Sequence, residues 1–167
     1  MTPSRNILFF VLVFLIQLAV SSYLNLGPWV TVSLFPLLIV LLPLSWSPHK
    51  VMLAAFALGL LLDVLSDGVI GLTAFAGVMA AAPRRFLYRF LVNNDRQDKT
   101  EFLSIRQAGY VKYIQILLAL TAIFMAAFIL LDCAGMRPVG FVLGRFLAST
   151  LVSTVACLAL SLPVQNR

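Results

Sequence analysis

The sequence predicts an all-α integral membrane protein, a compact bundle of six transmembrane helices with five as the alternative count. Composition is the first indication, because 62% of the 167 residues are hydrophobic and 11% are charged, against about 25% charged residues in an average soluble domain. The second is that apolar blocks recur from Ile7 to Leu162, separated by short polar or Pro/Gly segments. At about 20 residues per span, these blocks fit five or six spans in a single domain, residues 1–167.

The first two predicted spans differ in how regular they are. The first, residues 7–24, follows a short polar start that contains Arg5. A cleaved signal peptide is the alternative, but the long apolar segment and the further spans favour a retained helix. The second span, residues 30–46, contains Pro36 and Pro43. Each proline removes a backbone donor, so we expect this helix to be kinked, partly unwound or re-entrant.

The third and fourth predicted spans, residues 51–66 and 69–91, are rich in glycine and alanine, and Asp67 begins a turn signal between them. Small residues let helix backbones approach closely in lipid. We therefore expect this pair of helices to form the tight centre of the bundle. The last two spans are predicted at residues 110–131 and 139–162.

Cations and aromatic residues share the end of the fourth span, before a polar cytoplasmic loop at residues 92–109. Arg85 and Arg89 are four residues apart, beside a strip formed by Phe86 and Phe90, as expected for a helix that runs along the membrane surface. The mixed charges of the loop are typical of a solvated face, and the alternative is a docking surface for a soluble partner. The cations of that candidate docking surface are Arg84, Arg85, Arg89, Arg96, Lys99 and Arg106.

The distribution of cations also predicts an orientation. With six spans and a cytoplasmic N-terminus, ten of the twelve lysines and arginines lie at or near the inner side, and Arg137 and Arg145 lie towards the outer side. Both termini are then cytoplasmic. The net charge of +6 follows from this topology and from attraction to membrane lipids, with no need for a nucleic-acid partner.

Two charged residues fall inside predicted spans, Asp63 in the third and Arg145 in the sixth. A charge in hydrocarbon costs roughly 2.5–3.5 kcal/mol on insertion scales. Because their predicted depths differ by only about 4–5 Å, we expect the two residues to pair. In the alternatives, each side chain reaches the outer interface alone, or Asp63 accepts backbone donors at the start of the fourth span. A proton relay is disfavoured because no ionisable chain continues to the inner face.

The sequence contains no pattern of catalytic or metal-binding residues. It lacks a Gly-rich phosphate loop and a nucleophile beside a base, and His49 is its single histidine. Asp63 and Asp67 are four residues apart, but the turn at Asp67 disfavours an acid pair. Cys133 and Cys157 are separated by about 20 helical residues, so we expect two independent thiols. We therefore expect no enzymatic activity, no metal and no cofactor.

Four residues around the intramembrane carboxylate carry a resemblance to a known family. Gly59, Asp63, Ser66 and Gly71 form the pattern G-x-x-x-D-x-x-S-x-x-x-x-G before a Gly/Ala-rich span. Together with the chain length, the spacing of the spans and the kinked second span, this pattern resembles the MreD family of rod-shape-determining membrane proteins over nearly the whole chain.

The resemblance implies a non-enzymatic scaffold of the cell-elongation machinery in the bacterial inner membrane. Proteins of this family work beside MreC, the cytoskeletal MreB, the glycosyltransferase RodA and a penicillin-binding transpeptidase in peptidoglycan synthesis. Asp63 and Arg145 would then fix the geometry of the bundle or line a groove. The family also resembles the six-helix substrate-binding subunits of energy-coupling-factor vitamin transporters. The alternative function is therefore a small-molecule binder, whose outward pocket would use Asp63, Asp67, Asp132 and Arg145.

Overall fold

The computed structural model describes residues 3–23, 30–66, 69–91, 109–133 and 138–165. All regular secondary structure in these ranges is helical, which confirms the predicted all-α class. The helices, numbered in chain order, are α1 Pro3–Tyr23, α2 Phe35–Leu41, α3 Pro48–Leu65, α4 Leu72–Ala81, α5 Arg84–Leu91, α6 Tyr110–Cys133 and α7 Val139–Gln165.

Three helices of the described chain are long and apolar enough to cross a membrane. They comprise Pro48–Leu65 in α3, Tyr110–Cys133 in α6 and Val139–Ser161 in α7. Within α1, Leu8–Ser22 is a shorter apolar stretch of the same character. The chain therefore has the helices of an integral membrane protein, as its composition predicts.

The predicted second span is interrupted by its prolines. Residues 30–34 are non-helical, and α2 then covers only the seven residues Phe35–Leu41. Pro36 lies in the first turn, where a missing N–H group leaves no helical hydrogen bond unmade. Leu42, which precedes Pro43, has extended backbone angles and ends the helix. The predicted partial unwinding is confirmed, and the helical part of residues 30–46 is limited to Phe35–Leu41.

The short helix α2 lies at the centre of the bundle. Phe35, Leu37 and Leu38 have no exposed surface. The Phe35 ring stacks on Phe124 of α6, with ring centroids 5.4 Å apart, and covers Gly77 of α4 so closely that a Cβ there would lie 2.5 Å from the ring. The expected close packing of the third and fourth spans is confirmed, since a Cβ at Gly59 would lie 2.5 Å from the Cα of Ala74, but the central position belongs to α2, whose residues 35–40 are all buried.

The predicted fourth span, residues 69–91, consists of two helices. The first, α4, ends at Ala81, and α5 begins at Arg84. Between them Pro83 has no N–H group to continue the helical hydrogen bonds, although its carbonyl accepts the N–H of Leu87 in the first turn of α5. The break separates the apolar part of the segment from the part that carries the arginines.

Candidate functional site

The carboxylate of Asp63 caps the first turn of α4 from the neighbouring helix α3. Asp63 is only 3% exposed. Its Oδ2 accepts the backbone N–H groups of Gly71 at 2.9 Å, Thr73 at 3.1 Å and Ala74 at 3.3 Å. These groups have no partner inside α4, because the first N–H groups of any helix lie beyond its own carbonyls. The positive end of the helix dipole also favours a carboxylate at this position.

The hydrogen bonding of this first turn is complete. The N–H of Leu72, which Asp63 does not reach, donates to the carbonyl of Val69 at 3.1 Å. From Phe75 onward the backbone N–H groups find their acceptors within the helix, beginning with the bond from Phe75 N–H to the carbonyl of Gly71. One buried side chain therefore satisfies every donor of the turn that the backbone itself leaves open.

Of the other residues of the four-residue pattern, Gly59 and Gly71 lie at the same contact, and Ser66 lies at the end of α3. A Cβ on Gly59 would lie 2.5 Å from the Cα of Ala74, so the backbones of α3 and α4 touch there. Gly71, the N-cap of α4, has φ +93°, a conformation that costs other residues more than glycine. The Ser66 hydroxyl donates to the carbonyl of Leu62 at the end of α3, at 2.7 Å. We call Gly59, Asp63, Ser66 and Gly71 the α3–α4 joint.

Arg145 has different partners from those predicted. Its Nη1 forms an ion pair with the Asp132 carboxylate at 2.6 Å, and its Nη2 donates to the Thr31 hydroxyl at 2.9 Å. The predicted pair of Asp63 and Arg145 is therefore wrong, because the Asp63 oxygens are occupied by backbone donors. The alternative, in which Asp63 accepts donors at the start of the fourth span, is confirmed.

Arg145 is the first of five polar residues that recur every four positions along α7, and the last of them, Ser161, bonds within its own helix to the carbonyl of Leu158. Residues at this spacing share one face of a helix. We call the first four of these residues the polar stripe: Arg145, Ser149, Ser153 and Cys157. The remainder of α7 is largely apolar, so the stripe is a polar line through a helix of membrane-spanning length.

The polar stripe hydrogen-bonds the non-helical segment that precedes α2. The N–H of Thr31 donates to Ser149 Oγ at 2.9 Å, and the N–H of Ser33 donates to Ser153 Oγ at 3.0 Å. The Cys157 thiol lies 3.8 Å from the carbonyl of Ser33. Non-helical backbone is tolerated at membrane depth only where its polar groups find such partners. The stripe is therefore what allows the chain to remain unwound there.

The spacing of these contacts shows how the segment runs. One step of four residues along α7 rises about 6 Å, and it is matched by two residues of the segment, which requires a nearly extended backbone. The segment ends where the N–H of Leu34 donates to Gln17 Oε1 of α1. Helices α1 and α7 thus fix the path of the chain into α2.

The serines of the polar stripe are site residues that the sequence prediction lacks, and Asp132 is predicted only as part of an outward pocket, not as the partner of Arg145. The stripe had a readable signal, since a polar residue every four positions in an apolar helix indicates a buried polar contact. Asp132 had a weaker one, because it precedes α7 by a short connection on the predicted outer side. Neither signal identifies Thr31, which is 114 residues from Arg145.

The prediction that Arg84 belongs to an exposed docking surface is wrong. Arg84 is 3% exposed; it donates to the carbonyl of Leu42 at the end of α2, and its guanidinium lies 5.2 Å from the ring centroid of Tyr88. Arg85 and Arg89 are exposed, as that surface requires. The other predicted members lie outside the described residues: Arg96, Lys99 and Arg106.

The two cysteines are buried and free, which confirms the prediction of independent thiols. Cys133 lies 3.8 Å from Arg145 Nη1, and Cys157 belongs to the polar stripe. Within the described ranges, no three His, Cys, Asp or Glu residues lie together in a way that could hold a metal ion. Asp67, which the small-molecule alternative would use, lies outside those ranges.

The fold and these contacts define an all-α membrane protein whose principal buried polar side chains bind its own backbone. The chain matches no protein-family model, no curated protein and no solved structure. Its function is therefore inferred from the α3–α4 joint, the polar stripe and the exposed faces of the helices.

Proposed function

We propose that this chain is a non-enzymatic scaffold of the bacterial cell-elongation machinery, with the role of an MreD-family protein. It lies in the inner membrane and controls cell shape by linking MreC with the peptidoglycan synthases. Its partners are MreC and, through MreC, MreB, RodA and a penicillin-binding transpeptidase. The observation that carries the proposal is the α3–α4 joint. Three of the four residues through which the sequence resembles the family, Gly59, Asp63 and Gly71, form the contact between α3 and α4, and the fourth, Ser66, bonds to the carbonyl of Leu62 at the end of α3.

The chemistry of the joint favours a scaffold over a binder or a transporter. A carboxylate that accepts three backbone N–H groups stabilises a helix start and is not free to hold a ligand. Gly59 brings the backbones of α3 and α4 into contact, which leaves no space for a small molecule between them at that level. Fixed geometry of this kind suits a protein that presents helix surfaces to the spans of its partners.

The proposal includes a six-span bundle with both termini in the cytoplasm. The second crossing is then made by the non-helical residues 30–34 followed by α2. Five nearly extended residues and seven helical ones cover about 27 Å, close to the thickness of the hydrocarbon core. The polar stripe supports this crossing because it satisfies the backbone over the unwound part. Six spans is also the number found in the substrate-binding subunits of energy-coupling-factor vitamin transporters, which the proposed bundle resembles.

The experiment is depletion of the chain from its native host together with purification of its complexes. Depleted rod-shaped cells are expected to become round, and a tagged copy is expected to restore them. Membranes solubilised in mild detergent are then expected to yield MreC and wall-synthesis proteins with the tagged chain. Mass spectrometry of both proteins and small molecules is the readout.

The matched control is an unrelated polytopic membrane protein with the same tag and the same abundance, which should recover none of these proteins. Recovery of an ATP-binding cassette pair or a tightly bound vitamin with the tagged chain would contradict the scaffold role. Such a result would support the substrate-binding alternative. Depleted cells that remain rods would also contradict the proposal.

A further inference from the structure

The helix α5 has one face attached to the bundle and one face without a described partner. Arg84 and Tyr88 are buried, and Leu87 and Leu91 pack against the core. The bond from Arg84 to the carbonyl of Leu42 fixes the rotation of the helix about its axis. The opposite side, which we call the α5 face, consists of four exposed residues: Arg85, Phe86, Arg89 and Phe90.

The α5 face combines exposed aromatic rings with exposed cations. Phe86 is 70% exposed and Phe90 is 78% exposed, and the two rings stack with centroids 6.2 Å apart. Arg85 and Arg89 form the adjacent strip, about 100° around the helix from the rings. A pair of large apolar rings on the surface of an eight-residue helix is unfavourable in water. The same pair is favourable where the rings enter an apolar layer and the guanidinium groups remain at its edge.

The packing of α3 and α4 sets the level of α5 relative to the membrane. The helices are antiparallel, since Gly59 contacts Ala74 and the carbonyl of Ala55 lies 3.5 Å from the Cβ position of Gly77. The same register places the end of α4 at Ala81 level with the first turn of α3, and α5 begins three residues beyond that end. Because α3 is of membrane-spanning length, its first turn marks one boundary of the apolar layer. The α5 face therefore lies at the boundary between hydrocarbon and headgroups.

We propose that the α5 face binds anionic phospholipid, with Arg85 and Arg89 on the phosphate groups and Phe86 and Phe90 among the upper acyl chains. Arginine suits this ligand because its guanidinium binds phosphate oxygens in a bidentate manner. Charge complementarity favours the anionic lipid over a neutral one, and no acidic residue lies within α5 to oppose it. The inference is independent of the proposed scaffold role.

The test places a fluorescent reporter on the face itself. Phe90→Trp is introduced into the full chain in which Trp29 and Trp46 are replaced by Phe, and the protein is reconstituted in phosphatidylcholine vesicles that contain phosphatidylglycerol. Two samples are compared, one in which phosphatidylglycerol carries brominated acyl chains and one in which phosphatidylcholine does. Brominated chains quench a tryptophan that is in contact with them. We expect a relative association constant for phosphatidylglycerol over phosphatidylcholine of roughly 5- to 30-fold, since each basic residue at an anionic surface contributes about fivefold.

Arg85→Gln with Arg89→Gln should abolish the preference while both lipids still quench, because the rings remain in the acyl region. The matched control, Lys50→Gln with Lys112→Gln, removes the same charge from the first turns of α3 and α6 and should retain most of the preference. Unchanged helical circular dichroism verifies the fold of each variant. Equal quenching by the two lipids in the reporter protein that retains Arg85 and Arg89 would overturn the proposal. Absence of quenching by either lipid would also overturn it, because the rings would then lie outside the acyl region.

Discussion

Asp63 and Arg145 are both charged residues within helices of membrane-spanning length, and the fold stabilises them in different ways. Asp63 is stabilised by backbone dipoles that lie only eight to eleven residues further along the chain. Arg145 is stabilised by two side chains, Asp132 in the adjacent helix and Thr31 in a distant segment. Backbone donors cannot turn away or be replaced, whereas side-chain partners can do both.

The two sites also differ in what remains when the charge is removed. Without Asp63, the buried N–H of Ala74 and the partly buried N–H groups of Gly71 and Thr73 lose their acceptor, which is the costly case for a hydrogen bond. Without Arg145, the carboxylate of Asp132 is 32% exposed and can be hydrated. The joint should therefore be much less tolerant of substitution than the ion pair.

The largest effect is expected from Asp63→Ala. The substitution leaves one buried donor, the N–H of Ala74, and two partly buried donors without their acceptor, so we expect a loss of about 3 kcal/mol in the free energy of unfolding. Asp63→Asn retains one acceptor oxygen and should lose roughly half as much. Titration with a denaturing detergent in mixed micelles, followed by circular dichroism, measures both values. A loss below about 1 kcal/mol for Asp63→Ala would contradict the capping role.

Gly59→Ala should be the next most destabilising change. Its Cβ would meet the backbone of Ala74 at 2.5 Å, which no rotamer change can relieve, and we expect a loss of about 1–3 kcal/mol. Gly140→Ala is the matched control, because a Cβ at Gly140 has nothing within 4 Å. That control should be neutral or slightly stabilising through helix propensity. Equal losses at the two glycines in the same detergent titration would refute the close contact of α3 and α4.

A double-mutant cycle separates the two charged sites. The pair Arg145→Met and Asp132→Asn should show a coupling energy of about 0.5–1 kcal/mol, as a partly exposed ion pair does. The pair Arg145→Met and Asp63→Asn should be additive within about 0.5 kcal/mol, since the residues share no partner. Unfolding free energies of the single and double variants give both couplings. A larger coupling for the second pair would restore the original pairing hypothesis.

The smallest effect is expected in the polar stripe. Ser153→Ala removes the acceptor of the Ser33 N–H and should cost about 0.6 kcal/mol, the typical value for such bonds in membrane proteins. Thr154→Val is the control, because the Thr154 hydroxyl bonds only to the carbonyl of Thr150 in its own helix. The control should change stability less than Ser153→Ala does. The reverse order would show that the stripe does not support the unwound segment.

Features that depend on neighbouring residues could be predicted from the sequence, because the physics that decides them is local. The apolar blocks predict the all-α class. Pro36 and Pro43 predict that the second span is not a regular helix. The capping of α4 by Asp63 was accessible as an alternative because the donors follow within eleven residues. The small residues of α3 and α4 likewise predicted the close contact at Gly59.

Features that depend on how distant segments meet could not be predicted in this way. The spacing of α5 places Arg85 and Arg89 on one strip of the helix, but it does not show that the neighbouring Arg84 is buried. The burial of Arg84 depends on the carbonyl of Leu42, which is distant in sequence and accepts its hydrogen bond. Similarly, Arg145 has one partner 13 residues away and another 114 residues away. The predicted depths of Asp63 and Arg145 were compatible with pairing, yet depth alone does not determine which helix faces meet.

The most direct measurement of the central claim is site-resolved hydrogen exchange at the first turn of α4. If Asp63 caps this turn, the amides of Gly71, Thr73 and Ala74 are protected in the native chain and exchange much faster in Asp63→Ala, which has no acceptor for them. Arg145→Met should leave their protection unchanged, because Arg145 has no contact with the joint. Accelerated exchange in Arg145→Met, or unaltered protection in Asp63→Ala, would contradict the account.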